Sequence, residues 1–205
     1  MPRKGHNILL DYQEQFVHDL STLKIVDPLF VEIGSQRGAG STFALAKLAK
    51  ELGMKFVTVD IDKQISDDAE LVVKGIDKSF EAVNMDGVKY LRGCENAFIV
   101  YLDAFDFWHP NHPKERIQSY LSRGTKLTDG NCWKMHCNCA KALVKNMPLG
   151  GYVCFDDVLT GPPNWKGKGK TAIPLLLKNG FCLLAHEKCK AAIFKRESVN
   201  DDSGE

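Results

Sequence analysis

Three features of the sequence predict an α/β fold with a doubly wound, mostly parallel sheet. The stretch Leu29-Phe-Val-Glu-Ile-Gly-Ser-Gln-Arg-Gly-Ala-Gly-Ser-Thr42 passes from a β-prone apolar run through glycines into an amphipathic helix. Strand-sized apolar runs then alternate with helix-patterned segments as far as Lys178, the order that sets parallel strands between crossover helices. Two last runs, Phe181 to Ala185 and Ala191 to Lys195, are parted only by a short charged turn and read as an antiparallel hairpin, which makes seven strands.

At 205 residues and 22.9 kDa the chain, 1-205, suits one such domain with a full core and is short for two. Its net charge of +1, from 27 basic and 26 acidic residues, supplies no global field to recruit nucleic acid or an acidic membrane. A small-molecule partner is expected, and a homodimer is compatible with the composition. Seven cysteines, an odd and scattered set, and no apolar run after Met1-Pro-Arg-Lys-Gly-His6 that reads as a signal peptide point to a reducing, cytoplasmic compartment. The apolar runs are strand-sized, so no membrane span is expected.

In order, residues 1–25 read as a lead-in, with Leu9, Leu10, Phe16, Val17 and Leu20 at helical spacing, placed to cover a sheet edge or the mouth of a site. Phe43, Leu45, Leu48 and Leu52 make one face of the helix after the glycines, which Gly53 ends. Lys55 to Ile61 is a strand ending in acid, Asp67 to Val73 a short helix, Phe80 to Asn84 a third strand and Val88 to Leu91 another short helix. Ala97 to Leu102 is unbroken apolar sequence, as expected of a central strand covered on both faces. Asp103 to Pro113 is too rich in proline and aromatics for a helix and reads as a site loop. Helices are expected over Lys114 to Leu121 and Asn131 to Met147, then a strand over Tyr152 to Phe155. The glycine-rich loop Pro162 to Lys170 leads into a helix over Thr171 to Lys178, and 198–205 is a polar, flexible tail.

Chemistry gathers where strands end. Gly34, Gly38 and Gly40 permit close backbone approach, and the free N–H groups near Ser41 and Thr42 favour an acceptor-rich ligand. The spacing Gly34-x-x-x-Gly38-x-Gly40 is not the dinucleotide order G-x-G-x-x-G, although another nucleotide loop of an α/β fold remains open. Asp60 ends the second strand, where a carboxylate can take both hydroxyls of a ribose, with Asp62 a rival. Asp103 ends the fourth strand and Asp156 with Asp157 the fifth, so three carboxylates should converge, and such a cluster repels itself unless protonated or bridged by a hard cation such as Mg²⁺, Mn²⁺ or Ca²⁺. Asp106, His109 and His112 are the candidates for taking a proton from a substrate.

Other signals weigh less. Cys132, His136 and Cys139 share a helix face and could hold zinc, but buried packing explains them better. The loop Lys166-Gly-Lys-Gly-Lys170 is either a cradle for a phosphate or carboxylate or a solvated hinge. Phe107, Trp108 and Trp165 could wall an acceptor pocket.

Glu32-x-Gly34-x-x-x-Gly38 resembles motif I of the class I S-adenosylmethionine-dependent methyltransferases, and a sheet closed by an antiparallel pair agrees with that resemblance from about residue 29 to 196. The resemblance implies a Rossmann-like methyltransferase fold with S-adenosylmethionine held by Glu32, Gly34, Ser35, Gly38, Ser41, Asp60, Asp86 and Asp103, and with Met85 packed on the adenine. Leu102-Asp-x-x-Asp106, followed later by Gly150-Gly-Tyr-Val-x-x-Asp156-Asp157, is similar to the cation-dependent O-methyltransferases of the catechol and caffeoyl-coenzyme A type and of the macrocin and rhamnosyl sugar type. This implies a divalent cation on Asp103, Asp156 and Asp157 and methylation of a small hydroxylated acceptor. Two departures qualify it: the catechol type ends its fifth strand in Asp-Asn, as this chain does not, and carries a lysine where Asp106 stands. A metal-independent methyltransferase of nitrogen or carboxylate groups, or a ligand-binding protein of the same fold without catalysis, is the alternative.

Overall fold

The structure, a computed structural model, describes residues 4–35 and 40–198. Strands β1 (Leu29–Ile33), β2 (Lys55–Asp60), β3 (Glu81–Asn84), β4 (Ala97–Leu102), β5 (Tyr152–Thr160), β6 (Lys166–Gly167), β7 (Phe181–Glu187) and β8 (Lys190–Arg196) form one sheet, ordered β3-β2-β1-β4-β5-β8-β7. The first five run parallel, and β8 joins β5 and β7 antiparallel. The expected fold class is thus present, with one strand more than expected because the short β6 pairs with β5 beside the main path.

Alternation along each strand splits the core in two. Val31, Ile33, Val100, Leu102, Val153 and Phe155 face one side, packed with Leu91 of α4 (Gly87–Arg92), Leu143 of α6 (Asp129–Asn146) and Leu176 of α7 (Ala172–Lys178). Phe30, Phe56, Phe98, Tyr101 and Tyr152 face the other, against Phe16 of α1 (Gln13–Leu23), Leu45 of α2 (Ser41–Glu51) and Val73 of α3 (Lys63–Ile76). Burying each such side chain contributes about 1.5–3 kcal/mol, so the sheet's centre is rigid and can aim what its strand ends carry. The remaining helix, α5 (Lys114–Ser122), has no buried residue and forms a wall above the strand ends.

Three local features position the site. The lead-in is a 3₁₀ helix, Gly5–Tyr12, running into α1, and it packs on β5 and β8. It is pinned by the buried Asp19, which accepts from Tyr152 Oη, from Gln15 Nε2 at 2.9 Å and from Lys195 Nζ at 2.5 Å. Strand β5 runs past the expected end at Phe155, and its pairing with β8 slips between Asp156 and Val158, where Asp157 takes a left-handed φ of 50°. Beside this bulge, β6 passes so close that a Cβ on Gly167 would lie 2.0 Å from the Asp157 carbonyl oxygen, and the Lys168 N–H donates to that oxygen at 3.2 Å.

Among the described residues no helix is long and apolar enough to cross a membrane. All seven cysteines are free thiols. Gly38 and the tail from Val199 onward lie outside the described residues.

Candidate active site

A cleft of about 1000 Å³ runs along the carboxyl ends of the parallel strands. One end is lined by Gly34, Ser35, Ser41, Asp60, Asp86 and Gly87, the other by His6, Asp103, Asp156, Asp157 and Lys168. Arg116 and Tyr120 of α5 and Lys134 and Asn138 of α6 form the facing wall.

At the first end the backbone leaves little slack. Gly34 has φ 97°, and a Cβ there would lie 2.6 Å from the Ala104 backbone, so this turn requires glycine. Asp60 is fixed by two backbone donors, Ser35 N at 3.1 Å and Asp62 N at 2.7 Å, and burial pushes its pKa up. Its rival Asp62 is engaged as the N-cap of α3, accepting from Gln64 N at 3.0 Å, and by an ion pair with Arg123. Asp86 caps α4 through Lys89 N at 2.8 Å and still lines the cleft, whereas Met85 packs on the core and does not. Glu32 is wholly buried behind the cleft, accepts from Thr58 Oγ1 at 2.7 Å, and is linked through that hydroxyl to Ser35 Oγ at 2.6 Å. Burial lifts its pKa to about 7 against the hydroxyls of Thr58, Thr42 and Ser41. It therefore positions Ser35 rather than lining the cleft.

At the other end, carboxylate oxygens of Asp103, Asp156 and Asp157 come within 4.8 Å of one another, where β4 ends beside the bulge of β5. A lysine stands among them. Lys168 is 2% exposed, and its Nζ pairs with Asp103 Oδ1, with Asp157 Oδ2 at 2.9 Å and with the Asp103 carbonyl at 3.1 Å. Burial alone would lower the ammonium's pKa, but Asp103, Asp157 and Asp156 outweigh it and hold the group charged. Burial pushes Asp103 up to about 6, with Lys168 opposing and Asp156 adding. Asp156 is raised for the same reason, with Lys168 opposing and Asp157 adding. The lead-in closes over this pit: a Cβ on Gly5 would fall 1.8 Å from Asp156 Oδ1.

Lys168 was expected in an open loop, as ligand cradle or hinge; the β6 pairing buries it instead. Asp106 lines the cleft but is held by Arg116 Nε at 2.6 Å. His109 and His112 stack on each other with ring centroids 3.6 Å apart, His112 Nε2 lies 2.6 Å from the Phe107 carbonyl, and neither lines the cleft. Nor do Phe107, Trp108 or Trp165, the last of which packs on Phe194 in the core. Cys132, His136 and Cys139 are buried: His136 Nδ1 donates to the Cys132 carbonyl at 2.8 Å, and burial pushes its pKa down to about 3. Among the described residues the aspartate trio is the group whose ligand atoms converge, and these three are not part of one. Sequence reasoning missed His6 and the burial of Lys168. The signal for Lys168 was its place between two glycines after a tryptophan, a backbone able to tuck inward.

No family model matches the sequence, and no curated protein matches it. Among solved structures, an SAH-bound methyltransferase from Podospora anserina is similar at 11% identity and TM-score 0.56 over 91% of this chain and 78% of that one. A methyltransferase from Geobacter sulfurreducens is 11% identical with TM-score 0.54, covering 97% and 91%. A cofactor-bound protein of MTB is 17% identical with TM-score 0.50, covering 91% and 80%. At such identities the likeness shows a shared fold.

Proposed function

We propose that this chain is an S-adenosylmethionine-dependent methyltransferase acting on a small acceptor. The observation that carries the reading is the single cleft joining the Asp60 and Asp86 end to the carboxylate pit. The residues at the first end suit the cofactor in kind: Asp60 keeps lone pairs for a ribose diol after its two backbone bonds, Asp86 offers an acceptor to an adenine amino group, and Gly34 admits a ligand close to the backbone. When bound, that cofactor supplies an electrophilic methyl on a sulfonium. The fold shared with the SAH-bound Podospora methyltransferase supports the assignment.

A divalent ion fits the second end less well. The all-oxygen trio is right for a hard cation, but Lys168 Nζ already stands in it, so an ion would have to displace a buried ammonium. The chain's own groups therefore carry the transfer. The trio and Lys168 fix the acceptor's polar atom. His6 lines the same end, and burial together with Lys4 holds its pKa below the usual value against Asp103, which leaves the imidazole neutral near pH 7 and able to take the acceptor's proton. Asp106, tied to Arg116, is the weaker base. Of the two acceptor classes, hydroxyl and amine, the excess of acid over base in the pit favours the amine.

Calorimetry tests the cofactor reading: S-adenosylmethionine should bind, and Asp60→Ala should weaken it by roughly ten- to a hundredfold, the loss expected for about 1.5–3 kcal/mol of charge-assisted bonding. Binding of NAD and not of S-adenosylmethionine would overturn it. Isotope transfer to panels of small amines and phenols separates the acceptor classes, and cofactor binding with no transfer to either would make this a ligand-binding protein.

A further inference from the structure

We propose that Lys168 is the resident cation of the carboxylate pit: its ammonium holds the place a divalent metal would take, the protein works metal-free, and a metal site opens only when this amine is removed. Three carboxylate oxygens that converge within 4.8 Å are a ligand set for a hard cation, and Lys168 Nζ meets two of those carboxylates and a backbone carbonyl.

The backbone that carries the ammonium is held in place. The Lys168 N–H bonds to the Asp157 carbonyl, and the Lys170 N–H bonds back to Gly167 at 3.2 Å. Both flanking glycines are packed shut: a Cβ on Gly167 would strike the Asp157 carbonyl, and one on Gly169 would lie 2.2 Å from Ile173 Cδ1. Trp165, just upstream, is packed on Phe194. A metal ion entering the trio would thus set its charge beside the ammonium already paired there, where like charges repel. Removing the amine reverses the balance, since among the described residues no other cation is ion-paired with the trio.

The activity arm rests on the methyltransferase reading; the binding arm does not. Mn²⁺ titrated into the full chain at pH 7.5, followed by electron paramagnetic resonance, should show no saturable site below millimolar concentration, whereas Lys168→Ala should gain one at least tenfold tighter, abolished by adding Asp156→Asn. Methyl transfer by the wild-type chain should be unchanged in chelator. Saturable Mn²⁺ binding by the wild type that Asp156→Asn abolishes would overturn the proposal, and this needs no lysine variant to fold. Absence of any methyl transfer would refute the functional reading and leave the Mn²⁺ titration to decide this one.

Discussion

At the start of β5, Tyr152 donates to the buried Asp19, and Lys195 and Gln15 complete the shell: three donors for one acid. At the end of the same strand the proportion is inverted, with Asp103, Asp156 and Asp157 sharing one buried lysine. The electrostatics follow. Burial would lift Asp19, but its bonds to Lys195, Tyr152 and Gln15 outweigh it and hold the carboxyl below the ordinary range, while burial leaves Asp103 at about 6 despite Lys168. An acid whose donors are complete locks a helix to a sheet. A site with surplus acid keeps an unmet demand for positive charge, and that demand is what a cleft can offer a ligand.

The sharpest way to break this contrast is to delete each lysine. Lys168→Met should cost about 3–5 kcal/mol at pH 8, because it removes the buried ammonium that pairs with Asp103 and Asp157, with the loss shrinking in acid as the carboxylates protonate. Lys195→Met should cost only about 1 kcal/mol, since Asp19 retains two donors and the pair is partly exposed. Equal losses in urea unfolding would remove the distinction.

Stability against pH comes next, because the two sites carry opposite signs. Between the ordinary carboxylate value and about pH 6, Asp103 holds a proton in the folded state that the unfolded chain has lost, so its contribution falls as pH rises; Asp103→Asn should flatten that fall by about 1–3 kcal/mol. Asp19 is lowered, so its contribution is present above the ordinary value and lost as pH falls through the folded pKa. Asp19→Asn should remove that acid-side loss. Unfolding free energies across pH 3 to 8, roughly the window these shifts span, check both.

The smallest test uses the tyrosines. Tyr152→Phe removes a donor to a charged acid and should cost about 1.5–3 kcal/mol in thermal unfolding, whereas Tyr101→Phe, beside the already protonatable Asp156, should cost under about 1 kcal/mol. A larger loss at Tyr101 would mean that the pit is as tightly built as the anchor.

Of these two regions the sequence announced one half of the pit and nothing of the anchor. Asp103, Asp156 and Asp157 were legible because apolar runs mark where strands stop, and parallel strands stop side by side. Lys168 was not, because a lysine among glycines reads as solvated; its burial depends on a strand of two residues, β6, too short for any periodicity. Asp19 and Tyr152 are separated by 133 positions, and no spacing rule joins a helix-facing acid to the first residue of a distant strand. The segment before Leu9 read as polar lead-in, so His6 was hidden until the 3₁₀ helix carried it over the strand ends. Asp106 and the two loop histidines show the reverse: composition placed them in a site loop, and local partners, Arg116 and the Phe107 carbonyl, claimed Asp106 and His112.

The bulge at Asp157 has a consequence for comparing sequences. In an unbroken strand consecutive side chains point to opposite faces, so adjacent acids cannot serve one pit. Here they do, because the left-handed residue lets the chain turn back on itself by one position. Asp157 is thus the inserted residue, and the pairing of the two acids in one pit depends on that insertion. A relative one residue shorter at this point would keep one carboxylate in place and send the other to the far side of the sheet, and its β6 loop would lose the carbonyl that seats Lys168. Counting positions across the gap, more than matching letters, is what would identify chains that build this pit in the same way.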